Sequence, residues 1–459
     1  MAIHRLWPNV KQVIRTRDQA MLKVILKDWT AVDLSDLLSD LPTSDQVVVL
    51  QNLPRKLAVA SFQHLLPKAQ ERLLKVMATE EAAGILNEMS PDDRTMLLEE
   101  LTATASKKML ELMAPDERGV AVSLLEYPED SIGRLMTPDY IAVRQEWSVQ
   151  QVLTYIREHG QDSETLNVVY VTNDDGVLMD DIRMREFLLA PLNYRVSDLM
   201  DMRFVALQVT DKQEAVVAVF RREDRSALPV INKEGVLVGI VTIDDVLDVA
   251  EEAATEDIQK IGGMEALDEP YMQIAFGRMV KKRAGWLVLL FLGEMLTATA
   301  MGFFEKEIAR AVVLALFIPL IISSGGNSGS QASTLVIRAL ALGEVGLSDW
   351  WRVIQREVFS GLALGSVLGG IGFIRIAAWS FFSDIYGPHW FLVALTVGAA
   401  LIGIVLWGTL AGSTLPFILR RLGFDPATSS APFVATLVDV TGLVIYFTIA
   451  SLILRGSLL

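Results

Sequence analysis

The chain of 459 residues contains no cysteine and only four histidines, and each scarcity excludes classes of function. Without cysteine there is no disulfide framework, thiolate nucleophile, iron–sulfur cluster or cysteine-bound zinc. The histidines, His4, His64, His159 and His389, are too scattered in sequence to suggest a zinc enzyme. Residues 1–20 lack an apolar core, so we expect no secretory signal and a cytosolic first half.

Charge is distributed very unevenly along the chain. A net charge of −15 together with a mean hydropathy of +0.37 would conflict in a single globular domain. Residues 1–280 hold 47 acidic and 29 basic residues, a net charge of −18, whereas residues 281–459 hold 9 and 12, a net charge of +3. The pattern predicts an acidic soluble half joined to an apolar half. The acidic half argues against a nucleic-acid partner and suits a cation ligand.

The apolar half contains five runs long enough to cross a bilayer. The first would be about 31 Å long as a helix. The second is interrupted by glycines, and we interpret it as one kinked span. Inner segments carry eight basic residues against three in outer segments, which predicts an inside N-terminus and an outside C-terminus. The predicted spans are Ala284–Phe304, Ile308–Leu342, Val358–Phe382, Phe391–Leu415 and Pro432–Leu454.

Two carboxylates lie inside these predicted spans. Asp439 has apolar sequence on both sides, and a carboxylate at membrane depth usually faces a wet cavity or the protein interior. We predict that Asp439 lines a cation path; the alternative is a protonated or hydrogen-bonded structural aspartate. Glu294 in the first span either faces the same path or bonds a neighbouring helix, and the sequence leaves both open.

A segment rich in small residues, Pro319–Gln331, interrupts the second span. Irregular backbone at this depth is tolerated where it lines water, so we expect the freed carbonyls of Gly325 and Gly326, with Asn327, to hold a hydrated cation. The alternative is close helix packing through small residues. The available ligands are hard oxygens, which suit Mg²⁺, Ca²⁺ or Mn²⁺. A single carboxylate among carbonyls favours Mg²⁺, which gives up its water most reluctantly.

Residues 41–113 repeat at close to 12 residues. Proline, serine or threonine soon follows most of the repeated positions, and Ser90 and Ala114 each precede a proline and two acids, a pattern typical of helix starts. Each unit is too short to bury its own face, so the units should stack into a helical superhelix. Protein binding is the alternative role for such a scaffold. The repeated residues are Leu41, Leu53, Leu66, Met77, Met89, Leu101 and Met113.

Residues 135–250 contain a duplication. Residues 169–178 match residues 228–237, and each copy is predicted as strand–helix–strand–turn–strand–helix. Two such units in tandem resemble a pair of CBS domains. In such pairs a Thr-x-x-Asp motif often contacts a nucleotide ribose, which makes Thr242 and Asp245 candidate ATP ligands.

The first copy departs from this pattern. Asp180 stands where the second copy has Gly239, which argues against a symmetric nucleotide site.

The segment after the second copy is strongly acidic and leads directly toward the first span. At helical spacing its carboxylates repel one another in the absence of a cation. We predict a regulatory site for divalent cations, although a solvated helix face is the alternative. The acids are Asp244, Asp245, Asp248, Glu251, Glu252, Glu256 and Asp257.

Together these features resemble the MgtE family of magnesium channels over nearly the whole chain. The motifs that carry the resemblance are residues 325–331, 435–443, 127–138 and 254–258. The resemblance implies a multidomain fold with an all-α superhelical N domain, an α/β tandem CBS pair, a connecting plug helix and a five-span α-helical membrane domain. We place these parts at residues 1–130, 131–197 and 198–250 for the two CBS domains, 251–280, and 281–459.

The resemblance also implies function. It implies a homodimer in the cell inner membrane that takes up Mg²⁺ and is not an enzyme. Hydrated Mg²⁺ would be held by Asp439, backbone near Ala435, and Asn327. High cytosolic Mg²⁺ would bind regulatory carboxylates and close the plug. Those carboxylates match Asp92 or Asp93, Asp224, Asp245, Asp248, Asp257 and Asp425.

Two departures from the family pattern and two other hypotheses remain. Many family members have an acid where this chain has Ala253, so one gating ligand is lost or shifted. A second acid of the family's superhelix has no alignable partner here. The other hypotheses are a nucleotide-gated transporter of another divalent cation or solute, and a membrane enzyme or passive scaffold. The last is disfavoured because no nucleophile–base pair is evident.

Overall fold

The computed structural model describes residues 7–16, 18–267, 269, 271–272 and 274–458. The chain forms two compact units, residues 1–251 and residues 252–459, each with its own hydrophobic core.

The first unit begins with a run of short helices whose starting residues recur every 12 positions, from residue 31 to residue 115. Each helix in this run packs against the next but one, so their apolar faces form one continuous core. The predicted superhelix is confirmed, and its repeat starts earlier than residue 41. The helices are α1 (Trp7–Thr16), α2 (Gln19–Leu26), α3 (Ala31–Ser39), α4 (Thr43–Asn52), α5 (Arg55–Gln63), α6 (Pro67–Val76), α7 (Thr79–Glu88), α8 (Pro91–Glu100), α9 (Ala103–Leu112), α10 (Pro115–Leu125) and α11 (Ile132–Leu135).

The repeated leucine or methionine has a structural reason. Most of these residues end a helix in extended conformation, as Met89 does with φ −68° and ψ 148°. Proline then occupies the first turn of the next helix, where its missing N–H costs nothing. One assignment was wrong: Leu65, 3% exposed, holds the repeat position, whereas Leu66 is 49% exposed. A strict 12-residue period passes through residue 65.

Two three-stranded sheets of identical topology follow, as the duplication predicted. In each sheet the first strand pairs in parallel with the second, and the second pairs antiparallel with the third. Asn173 and Asn232 hold equivalent turns, since each side-chain oxygen accepts a backbone N–H from four residues on. The elements are β1 (Ala142–Val143), α12 (Val149–His159), β2 (Val168–Thr172), β3 (Leu178–Arg183), α13 (Met184–Leu189), β4 (Leu207–Gln208), α14 (Gln213–Glu223), β5 (Ala227–Ile231), β6 (Leu237–Thr242) and α15 (Ile243–Ile261).

The difference between the two copies is explained by packing. A Cβ at Gly239 would lie 2.9 Å from the backbone oxygen of Thr137, and this backbone contact favours glycine in the second copy. In the first copy Asp180 is buried, and its carboxylate accepts the backbone N–H groups of Asp201 (2.8 Å) and Met202 (3.0 Å). The acid therefore anchors the turn between the two copies.

Among its described residues, the second unit contains five helical segments long and apolar enough to cross a membrane, which confirms the predicted number. The first span begins earlier than predicted, at Phe276, and includes the basic residues just before Ala284. The second span, Val312–Ala341, lies within its predicted run. The helices are α16 (Phe276–Phe303), α17 (Glu305–Arg310), α18 (Val312–Ala315), α19 (Ile318–Ala341), α20 (Trp350–Ser380), α21 (Trp390–Arg421) and α22 (Ala431–Leu454).

Glycines allow the central helices of this unit to pack closely. A Cβ at Gly365 of α20 would lie 2.8 Å from Cα of Ile402 on α21. A Cβ at Gly329 of α19 would lie 2.9 Å from the backbone oxygen of Gly408 on α21. Helix α21 therefore forms the centre of the unit, with α19, α20 and α22 packed around it. By contrast, α16 has no buried residue within the unit.

Candidate cation sites

The glycine-rich segment does not break its span, and the expectation of irregular backbone there was wrong. Helix α19 is continuous through Gly325–Gly329, and Pro319 lies in its first turn, where proline is tolerated. The interruption lies before Pro319, between α18 and α19. Gly325 is buried, and a Cβ there would meet Ile404 and Val438. Close packing therefore explains Gly325, and its carbonyl is part of a helix rather than free.

At the next glycine, Gly326, helix α19 lies close to Asp439 of α22. A Cβ at Gly326 would lie 3.4 Å from Cβ of Ala435 and 3.7 Å from Oδ1 of Asp439. Asn327 is exposed beside it, and its Nδ2 donates to Oγ of Ser323 (3.4 Å). The structure therefore brings together Gly326, Ala435 and Asp439, with polar side chains on the adjacent exposed face of α19.

Asp439 is half-buried in the middle of α22 and has no ion-pair or hydrogen-bond partner among the described residues. Glu294 of α16 is near enough to interact with it electrostatically. An unpaired carboxylate at membrane depth is costly, and a passing cation or a proton removes that cost.

A second group of carboxylates gathers in the first unit. Asp92 and Asp93 of α8 act electrostatically on Asp245 of α15, and Asp93 also acts on Asp248. Glu164 joins them from the segment after α12. We call these five residues the acidic cluster. Burial and the charge of Asp92 raise the pKa of Asp245 to about 8, and burial and the same charge raise the pKa of Glu164 to about 7.

Local hydrogen bonds position the acidic cluster. Oγ of Ser90 and Nε2 of Gln63 donate to Asp93 at 2.8 and 2.5 Å, and Thr242 donates to Asp245 at 2.6 Å. Within the described residues no three such side chains converge tightly enough to hold a bare metal ion.

Both Asp92 and Asp93 belong to the acidic cluster, so both remain candidates for the predicted superhelix ligand. Glu164 was missed because a single glutamate in a loop gives no pattern in the sequence. Asp224 lies elsewhere, at the left-handed end of α14 (φ 51°), in a pocket shared with Arg183 and Arg225. That basic surrounding does not favour a cation.

In the second unit Glu256 and Asp425 share one lysine. Nζ of Lys260 lies 2.5 Å from Oε1 of Glu256 and 2.7 Å from Oδ2 of Asp425. Burial lowers the pKa of Lys260, but the bonds to Asp425 and Glu256 outweigh it and raise that pKa. Two of the predicted regulatory acids are therefore brought together by an ammonium group. Asp257 follows Glu256 on α15.

Comparison with known proteins finds the same domains along the chain. A family model described as MgtE, divalent cation transporter, matches residues 318–449, and an MgtE intracellular N domain model matches residues 29–130. CBS domain models match residues 132–192 and 196–252. The chain is 36% identical to the magnesium transporter MgtE of Thermus thermophilus over 98% of both chains. The chain belongs to the MgtE family. This is a family of transporters and not of enzymes.

Other members and structures of the MgtE family are also similar. The chain is 29% identical to the magnesium transporter MgtE of Bacillus subtilis over 95% of this chain and 98% of that one. A crystal structure of the cytosolic domain of the Mg²⁺ channel MgtE in complex with ATP is 33% identical, with a TM-score of 0.51, over 53% of this chain and all of that chain. The soluble part of a magnesium transporter shares the fold, with a TM-score of 0.52, at 23% identity over 55% of this chain and 99% of that chain.

Proposed function

We propose that this protein carries Mg²⁺ inward across the cytoplasmic membrane along a path lined by Asp439. The observation that carries the proposal is an unpaired carboxylate in the middle of α22, facing the small-residue surface made by Gly326 and Ala435. A single carboxylate at membrane depth attracts a hydrated ion without removing its water. The names of the relatives, all magnesium transporters, support the choice of ion.

We infer further that cytosolic Mg²⁺ closes this path by binding the acidic cluster. Cation binding would relieve the repulsion that raises the pKa of Asp245 and Glu164. Asp257, Glu256, Asp425 and Asp224 remain proposed regulatory ligands. For Glu256 and Asp425, a cation would have to displace Lys260.

ATP binding at the second CBS copy is part of the proposal. Thr242 and Asp245 are joined by a hydrogen bond, and the neighbouring N–H of Ile243 donates to Ser226, which lines the pocket with Arg183 and Arg225. The arginines of this pocket suit the phosphates of a nucleotide. The similar cytosolic domain of the Mg²⁺ channel MgtE was crystallised in complex with ATP, which supports this choice of ligand.

The oligomeric state and the orientation in the membrane are also proposed. We infer a homodimer in the cell inner membrane, with the N-terminus in the cytoplasm and the C-terminus outside. The excess of basic residues in the inner segments supports this orientation. The domain limits predicted from the sequence, including a plug at residues 251–280, belong to the same proposal.

Growth of a strain lacking its own Mg²⁺ uptake tests the function. The wild-type gene should restore growth on low Mg²⁺, and Asp439→Ala should not. Glu344→Gln removes an exposed carboxylate outside the predicted path and should behave as wild type. Equal rescue by Asp439→Ala, at equal amounts of protein in the membrane, would show that the path is assigned to the wrong residue.

A further inference from the structure

Glu294 is an acid in an exposed position on a membrane-spanning helix. It lies in the middle of α16, within the apolar run, and its side chain is exposed in the unit. It has no ion-pair partner among the described residues. A carboxylate facing lipid is costly, so this one needs a polar or wet environment. It acts electrostatically on Asp439 of α22, which likewise has no ion-pair partner among the described residues.

Helices α16 and α22 are parallel neighbours in constant register, which fixes the height of these two acids. Contacts at three levels join residues that are 143 or 144 positions apart in sequence, and an offset that stays constant along both helices requires them to run in the same direction. The contacts join Trp286 to Ser430 (3.1 Å between Nε1 and Oγ), Gly293 to Thr436 (3.1 Å from an added Cβ), and Phe304 to Phe447 (5.0 Å between ring centroids).

This register places Asp439 at the height of residue 296, between Glu294 and Thr297. At 1.5 Å per residue, Asp439 is about 3 Å along the axis from Glu294 and about 1.5 Å from Thr297. Glu294 and Thr297 are three residues apart on one side of α16, and Gly293, which contacts α22, is four residues from Thr297. The two acids and the threonine therefore share one level of the interface between the two helices.

The hydroxyl of Thr297 provides an independent sign of a missing ligand. Its oxygen is buried and has no hydrogen-bond partner in the described part of the chain. Hydroxyls elsewhere in these two helices bond the carbonyl four residues earlier, as Thr436 does with Pro432 (3.0 Å) and Thr441 with Leu437 (2.7 Å). Burying a hydroxyl without a hydrogen-bond partner costs free energy, and a bound ion or its water would remove that cost by bonding the oxygen.

From this geometry we propose that Glu294, Asp439 and Thr297 form one divalent-cation site with two carboxylates. The proposal rests on the proposed Mg²⁺ path and adds a second charged ligand to it. Two carboxylates at one height attract a divalent ion more strongly than Asp439 alone. The ion keeps water between itself and the oxygens, because Mg²⁺ gives up its water reluctantly. Glu294 then sets the affinity of the path, while Asp439 remains its central ligand.

The test is the concentration dependence of Mg²⁺ uptake into liposomes that contain the purified full-length protein. Glu294→Gln should raise the half-saturating Mg²⁺ concentration about tenfold, as expected when one of two carboxylates is lost. Glu294→Asp keeps the charge and should stay within about threefold of wild type. Glu344→Gln is the matched control and should leave the value unchanged. An unchanged half-saturating concentration in Glu294→Gln would overturn the proposal.

A second readout separates this site from the transport function. Infrared difference spectra upon Mg²⁺ addition report carboxylates that gain a cation, and a band present in wild type should be lost in Glu294→Gln. If wild type moves no Mg²⁺ but shows this band, the site stands and the transport proposal fails. If wild type moves Mg²⁺ and the band is the same in Glu294→Gln, the site proposal fails alone.

Discussion

At the scale of single residues, burial and mutual repulsion raise the pKa values of the carboxylates in the acidic cluster. Asp92 is 5% exposed, and burial together with Asp93 raises its pKa to about 6. The sequence predicted the acids of α15 because they follow one another at helical spacing. It could not predict that Glu164 joins them, because that contact depends on the packing of a loop. Likewise, the register of α16 against α22, and so the height of Glu294, required the structure.

Replacing Asp92 by Asn should stabilise the first unit at pH 8 without divalent cations. A carboxylate whose pKa is raised in the folded state costs stability above that pKa, and the cost disappears as pH falls toward the unfolded value. We expect Asp92→Asn to raise the opening free energy of α8 amides by about 1–2 kcal/mol at pH 8. The gain should vanish near pH 4. Hydrogen exchange of the full-length protein in a chelator measures it.

The control for this prediction is Glu146→Gln, which removes an exposed acid of the same unit, outside the acidic cluster. It should leave exchange in α8 unchanged at both pH values. Faster exchange of α8 in Asp92→Asn at pH 8 would mean that the carboxylate stabilises the fold, the opposite of the expected repulsion.

At the scale of elements, small residues determine how closely the membrane helices approach. The sequence identified the glycine-rich stretch of α19 but favoured irregular backbone, whereas the structure has a continuous helix. The reason lies in the partner helix: Gly408 and Gly412 of α21 face Gly325 and Gly329, so backbone packs against backbone. Such a match between distant segments is not visible in either segment alone.

Gly408→Ala should therefore destabilise the membrane unit. Its Cβ would overlap the backbone oxygen of Gly325 and lie 3.3 Å from N of Gly329, and backbone cannot move aside as a flexible side chain can. Overpacking of this kind costs about 1–3 kcal/mol. Gly370→Ala is the control, because a Cβ there meets no atom within 4 Å. Size-exclusion profiles after heating should show loss of folded protein for the first variant only.

At the scale of the whole molecule, the two halves of the chain hold carboxylates of different kinds. The number of spans, the superhelix and the CBS pair could all be predicted, because each leaves a periodic pattern: apolar runs, a 12-residue repeat and a 59-residue duplication. The acidic half holds carboxylates that a cytosolic cation would neutralise. The nearly neutral half holds Asp439 within the membrane. We infer that the two halves act as sensor and path for the same ion.

Mg²⁺ flux into liposomes containing purified protein tests the central claim most directly. The indicator is a Mg²⁺-sensitive dye inside the liposomes, and the comparison is wild type against Asp439→Asn, which removes the charge and keeps the size. We predict uptake that rises with external Mg²⁺ in wild type and falls at least about tenfold in Asp439→Asn at equal amounts of folded protein. Equal flux through the two proteins would contradict a path lined by Asp439.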